Sequence, residues 1–223
     1  METAEYAPGR LVDLFGEPAQ PAVLLWHGAQ TDARAAVRTL AELIAGHGVR
    51  VVVPDWNSHT GDRGRADLLR SVQFARERVA DPDGLVLAGW SLGGVAAAGL
   101  TVHARAHGVR FAHTVCLAGA FMVDDPISGG DVAAALSGAD PAPFTLLHGV
   151  ADDVVPVTAS RDFARALEAH GWPVESVELA ADHGSIAGAR YDAVADRYTA
   201  AADPDTTAVA AGVAARIAAL SSR

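Results

Sequence analysis

The chain has 223 residues, with 17 basic side chains against 27 acidic ones, a formal net charge of −10, and half of its residues hydrophobic by type. That length suits a single α/β domain over residues 1–223 better than two small ones, and the composition is that of a core-forming globular protein, not a disordered one. The acidic balance argues against nucleic acid or an anionic membrane as partner. The lone Cys116 excludes an internal disulfide framework and any multi-cysteine zinc site.

All 17 basic residues are arginines. Without lysine there is no Walker-type phosphate loop, no Schiff-base chemistry and no Ser-Lys dyad. No segment holds the ~18 uninterrupted apolar residues of a membrane helix. The opening METAEYAPGR lacks the basic-then-apolar order of a secretory signal, so a cytoplasmic location is expected.

In chain order, residues 10–15 suggest an N-terminal antiparallel edge strand. Short β-branched or Leu-rich runs follow at 23–26, 49–53, 85–88, 111–117, 144–147 and 174–179, several apolar at nearly every position, as strands buried on both faces are. Helical periods lie between them at 32–46, 65–80, 92–107, 158–170 and 205–220. This alternation predicts βαβ crossovers and a mostly parallel sheet with helices on both faces. Two connections, 122–143 and 184–205, are longer than a turn requires, and both leave the sheet at its carboxyl edge, where open α/β sheets bind ligands.

The strongest local pattern is Gly89-Trp90-Ser91-Leu92-Gly93, a G-x-S-x-G lying where a strand ends and a helix begins. A serine at such a sharp turn takes a strained backbone conformation, and the flanking glycines let strand and helix approach each other. Its hydroxyl then stands at a helix N-terminus, whose positive end favours a developing negative charge. A hydroxyl is a weak nucleophile without a base. His183, in Ala-Asp-His-Gly after the last strand, is the base that this placement offers. His103 and His107 stand one helical turn apart but lack the Glu and third ligand of a metal site, so a solvated face is expected there and no metal. Asp152, at the end of a buried strand, is the preferred acid to hold His183 in the correct tautomer, ahead of Asp153 and then Asp124 or Asp125. For the anionic intermediate, Leu92 N–H supplies one donor and Ala29 N–H the other, with Gln30 as the competing assignment. Trp90, Trp56, Gln30, Phe121 and Met122 are the expected pocket walls. Arg63 and Arg65 are read as a solvated loop ahead of a carboxylate receptor.

Four landmarks in order, HGA at 27–29, PDW at 54–56, GWSLGG at 89–94 and HGVADDVVP at 148–156 followed by DHG at 182–184, make the chain resemble the α/β-hydrolase superfamily. It is most similar to the small, cap-poor bacterial serine hydrolases of the dienelactone-hydrolase and carboxylesterase type. The resemblance spans about residues 10–221. It implies an α/β-hydrolase fold without a large cap domain and a catalytic acid at Asp152. It departs from dienelactone hydrolases in having serine where they have cysteine, and from hormone-sensitive-lipase-like esterases in lacking H-G-G-G. The expected activity is cofactor-independent hydrolysis of an ester, or a related acyl bond, of a small soluble substrate through an acyl-enzyme on Ser91. A thioesterase, an acyltransferase or a cofactor-free perhydrolase uses the same groups. A catalytically silent binding protein of this fold is the alternative from another class.

Overall fold

A strand that is apolar on both sides has to be covered on both, and that requirement builds the architecture. The computed structural model describes residues 1–221. Eight strands, β1 (Glu2–Ala7), β2 (Arg10–Phe15), β3 (Ala22–Trp26), β4 (Arg50–Pro54), β5 (Val86–Trp90), β6 (His113–Leu117), β7 (Phe144–Gly149) and β8 (Val174–Leu179), form one sheet in the order β1-β2-β4-β3-β5-β6-β7-β8. β3 to β8 are parallel, while β2 runs antiparallel to β4 and β1 antiparallel to β2.

Every residue of β3, β4 and β5 is buried. Strand alternation divides them between the faces. Val23, Leu25, Val51, Val53, Val86, Ala88 and Trp90 pack with α1 (Arg38–Gly46) and α5 (Pro204–Ser221). Leu24, Trp26, Val52 and Leu87 pack with α2 (Arg65–Arg76) and α3 (Leu92–Val102). Cys116, Phe144 and Leu146 lie under α3 and α4 (Val157–Ala169). In α1 the buried positions Leu40, Ala41 and Ile44 repeat at helical spacing. Full burial of a side chain such as Ile44 contributes about 2 kcal/mol.

Three expectations need correction. Residues 10–15 form a strand, but it is second in the sheet, and the edge is β1, whose exposed acids Glu2 and Glu5 suit a border open to water. The helix expected at 92–107 stops at Val102 and continues only as a 3-10 turn, Ala104–His107. The connection 184–205 is not simply a loop. After a 3-10 turn, Ser185–Ala187, it folds into a two-stranded hairpin, β9 (Ala189–Asp192) with β10 (Arg197–Ala200). The 122–143 connection is anchored by the fully buried Asp125, which accepts 2.8 Å bonds from the Ile127 and Ser128 amides against the bare Gly99 of α3. Among the described residues, no helix is long and apolar enough to cross a membrane.

Candidate active site

Ser91 lies between β5 and α3 with φ 58° and ψ −121°. For a residue with a Cβ this conformation costs about 1–3 kcal/mol and persists only where the surroundings enforce it. Here they do. Ser91 N donates to Leu117 O on β6 at 2.9 Å, and Ser91 O accepts from Gly94 N at 2.9 Å and Ala120 N at 3.1 Å. The glycines are steric necessities. A Cβ on Gly89 would stand 2.8 Å from Gly94 N, and one on Gly93 would stand 2.8 Å from Trp26 O and nearer still to His27 O.

Asp152 and His183 meet because the β7–β8 pairing runs on past the strand ends. Val150 N donates to Leu179 O at 2.9 Å and Ala151 N to Ala181 O at 3.0 Å. His183 Nδ1 is then 2.8 Å from Asp152 Oδ2, with 3% and 0% of the two side chains exposed. An ionised carboxylate only accepts, so Nδ1 carries the proton and Nε2 keeps its lone pair. Asp152 Oδ1 accepts from Val154 N at 2.9 Å and Val155 N at 2.8 Å. Burial alone would raise the Asp152 pKa, but hydrogen bonds from His148, His183 and the Val155 amide outweigh it and hold the carboxyl well below its usual range. Asp152 therefore stays ionised at neutral pH.

Behind His183, Trp90 Nε1 donates to the His183 carbonyl at 2.8 Å, with ring centroids 5.2 Å apart. Trp90 directly precedes Ser91, so this contact ties the His183 backbone to the strand that ends in the serine turn. Tyr198 of β10 packs on both rings, 5.0 Å from Trp90 and 5.8 Å from His183. Asp182 Oδ1 caps the loop that follows by accepting from Gly184 N and Ser185 N.

The opposite wall is the 27–29 loop. A Cβ on Gly28 would lie 3.3 Å from Ser91 Cβ, so this backbone passes against the serine. Ala29 is exposed, and its carbonyl is tied back by Ser58 Oγ at 2.6 Å. Leu92 opens α3 and is among the helix amides left without an internal acceptor. His27 is a brace: Nδ1–H donates to Gly28 O at 2.8 Å, and Nε2 accepts from Ala33 N and Trp56 N, both at 3.2 Å. Burial, opposed by the bond to Gly28 O and reinforced by the charge of Arg34, lowers its pKa to about 3. It is neutral at ordinary pH.

The expected pocket walls divide. Trp56 and Trp90 are only 0% and 2% exposed, so neither forms an open wall. Trp56 packs with Trp26 and Leu68 and donates its indole N–H to His27 O at 3.2 Å. Gln30 Oε1 accepts from Tyr198 N at 2.8 Å, fastening the hairpin to this loop. Phe121 is half-buried and stacked on Phe163, 4.1 Å between centroids. Met122 is exposed and, with Val123, Val150 and Val154, forms an apolar rim on the loops after β6 and β7. Arg63 donates to Asp124 O at 2.9 Å, so it links two loops. Of the other acids considered, Asp125 caps its own turn and Asp153 lines a cavity of about 460 Å³ with His183, Asp182, Arg190 and Tyr198. His148 and Tyr198 were not anticipated at the site. A histidine four residues before the acid was a readable signal for the first, and nothing local in the sequence marked the second.

A parallel sheet in this strand order, with a strained serine turn after β5, an acid after β7 and a histidine after β8, is the α/β-hydrolase fold. Solved structures agree. Esterase 2 of the planctomycete Thermogutta terrifontis, with propionate bound, superposes with a TM-score of 0.71 at 19% identity, covering 97% of this chain and 92% of that one. Esterase B from Lactobacillus rhamnosis superposes with a TM-score of 0.73 at 17% identity, covering 99% and 87%. At such identities the likeness is one of fold. No protein-family profile matches the chain, and no curated protein matches it by sequence.

Proposed function

We propose that the protein is a serine hydrolase that cleaves a carboxylic ester of a small molecule through an acyl-enzyme on Ser91. The observation that carries this reading is the 2.8 Å bond between His183 Nδ1 and the ionised Asp152, in a chain whose β5 ends on a serine in a strained turn. Asp152 fixes the tautomer, and His183 Nε2 takes the Ser91 proton as Oγ bonds to the carbonyl carbon. The carbonyl electron pair moves onto oxygen, held by the Leu92 and Ala29 N–H groups. Each such donor is worth about 3 kcal/mol at the transition state. The intermediate collapses, the C–O bond to the alcohol breaks, and His183 protonates the leaving oxygen. Water, deprotonated by the same imidazole, then releases the acid and restores Ser91.

A short acyl group suits the small cover over the site. Esterase 2 of T. terrifontis has been solved with propionate and with butyrate bound, and phosphorylated by paraoxon, which supports the same preference and a similarly reactive site here. A fluorophosphonate probe tests the reading. Labelling at Ser91 that disappears in Ser91→Ala, with p-nitrophenyl acetate or butyrate hydrolysed faster than the decanoate, is the expected result. No labelling and no hydrolysis would leave a binding protein of this fold.

A further inference from the structure

His183 is not the only imidazole on the acid. His148, the penultimate residue of β7, is 1% exposed, and its Nε2 lies 3.3 Å from Asp152 Oδ2, the same oxygen that His183 Nδ1 reaches at 2.8 Å. The tautomer follows from the other partners. Nε2 is 2.9 Å from the carbonyl of Val155, which only accepts, so Nε2 bears the proton and shares it between that carbonyl and the carboxylate. Nδ1 is 2.7 Å from Ser160 Oγ on α4, so the hydroxyl donates to it. The result is a buried relay: Ser160 O–H to His148 Nδ1, His148 Nε2–H to Asp152 Oδ2, and His183 Nδ1–H to that same atom.

We propose that His148 is a positioning residue that tunes the basicity of His183 through their shared carboxylate oxygen. This rests on the Ser91–His183–Asp152 reading above. A carboxylate oxygen that accepts two N–H bonds has its charge divided between them, so it stabilises a neighbouring imidazolium less than an oxygen accepting one. His148 therefore restrains the proton affinity of His183. The effect is electrostatic and not steric, because Asp152 Oδ1 is pinned independently by the Val154 and Val155 amides. The remaining charges around the pair are Glu178, opposite His148 on β8 and paired with Arg161 of α4, the carboxylates of Asp153 and Asp182, and Arg190 and the Tyr198 phenol of the hairpin.

The test reads His183 itself, without turnover. In protein labelled with 13C and 15N at histidine, the His183 titration is assigned by its loss in His183→Gln and followed by NMR in the full chain. The expected result is that His148→Leu raises the His183 midpoint by about one pH unit, a tenfold gain in proton affinity, while His148→Gln, whose amide can still donate, restores most of the original value. If the leucine variant does not fold, Ser160→Ala serves in its place. It weakens the donor strength of His148 and is expected to move the midpoint the same way by less. An unchanged or lowered midpoint in a folded variant overturns the proposal and leaves His148 a brace between β7 and Val155. Fluorophosphonate labelling of the same samples reports separately on the hydrolase reading, so the two can fail independently.

Discussion

Replacing Asp152 by asparagine changes one oxygen to an NH2 group, and the geometry dictates where that group points. The Oδ1 position faces two backbone N–H donors, Val154 at 2.9 Å and Val155 at 2.8 Å, so the amide must present its oxygen there. Its NH2 then occupies the Oδ2 position, 2.8 Å from His183 Nδ1. Nδ1 is forced to accept, the imidazole proton moves to Nε2, and the lone pair that should take the Ser91 proton is gone. Inverting the tautomer costs about 10⁴ in kcat, or about 5 kcal/mol of barrier. Loosening of one orienting hydrogen bond would cost only about 1–2 kcal/mol. The same NH2 also opposes the His148 Nε2–H, a donor against a donor, so the variant is expected to lose a further ~1–3 kcal/mol of folding stability. Steady-state hydrolysis of p-nitrophenyl acetate measures the first effect and urea unfolding the second. A folded Asp152→Asn variant retaining a tenth or more of wild-type kcat would refute the tautomer assignment and, with it, the role given to Asp152.

Two further outcomes follow from the packing around the site. Gly93→Ala places a methyl 2.8 Å from Trp26 O and closer to His27 O, both main-chain atoms that have little room to yield. Overpacking of this kind costs about 1–3 kcal/mol, and the forced separation of α3 from the 27–29 loop spreads the two amides proposed to hold the oxyanion. The variant is expected to melt about 4–8 °C lower and to lose kcat by about 100-fold while KM changes little; calorimetry and initial rates check both. His27, whose pKa falls from 6.5 to about 3 on folding, binds its proton more readily in the unfolded chain. Its contribution is thus complete above pH 6.5 and declines as the pH falls towards 3, by about 1.4 kcal/mol per pH unit. In His27→Gln, urea unfolding at pH 4, 5, 6 and 7 is expected to show a shallower pH dependence than wild type, and parallel curves would count against a buried neutral imidazole.

The parts of the fold that sequence reading recovered are those in which each residue alone dictates its surroundings. β4 (Arg50–Pro54) stands within a residue of its expected position because a β-branched run of that length has few other ways to be buried, and β8 (Val174–Leu179) matches its expected bounds although none of its residues is fully buried. β1 and the β9–β10 hairpin escaped notice because their order comes from distant contacts, such as Tyr198 against Trp90 and its amide on Gln30. Trp90 fails as a pocket wall for a reason that alternation already contained. Val86, Ala88 and Trp90 share a parity, which sends the indole beneath the sheet edge among the α1 and α5 contacts, while the next residue, Ser91, is turned outwards by its positive φ. Nearness to a nucleophile in sequence does not fix the side of the backbone on which a ring falls.

That inward tryptophan also explains how a strained serine and a loop histidine can keep their register. The turn at Ser91 stores about 1–3 kcal/mol, and three backbone hydrogen bonds at the serine, each worth about 1 kcal/mol net, are enough to hold it. His183 has no strand of its own. It is fixed instead by the indole N–H of the residue preceding the nucleophile and by a carboxylate whose own backbone is an extension of the β7–β8 ladder. Displacing the base relative to the nucleophile therefore means moving Trp90, one of the largest side chains in the core, and not merely a surface loop. The Met122 and Val123 side chains, exposed on the connection after β6, lie outside this brace, whereas Val150 and Val154, exposed after β7, lend it their backbone amides. Side-chain substitutions at Met122 or Val123 are therefore expected to change which acyl or alcohol group is accepted while leaving the Asp152–His183 bond in place, because neither residue bonds to either partner.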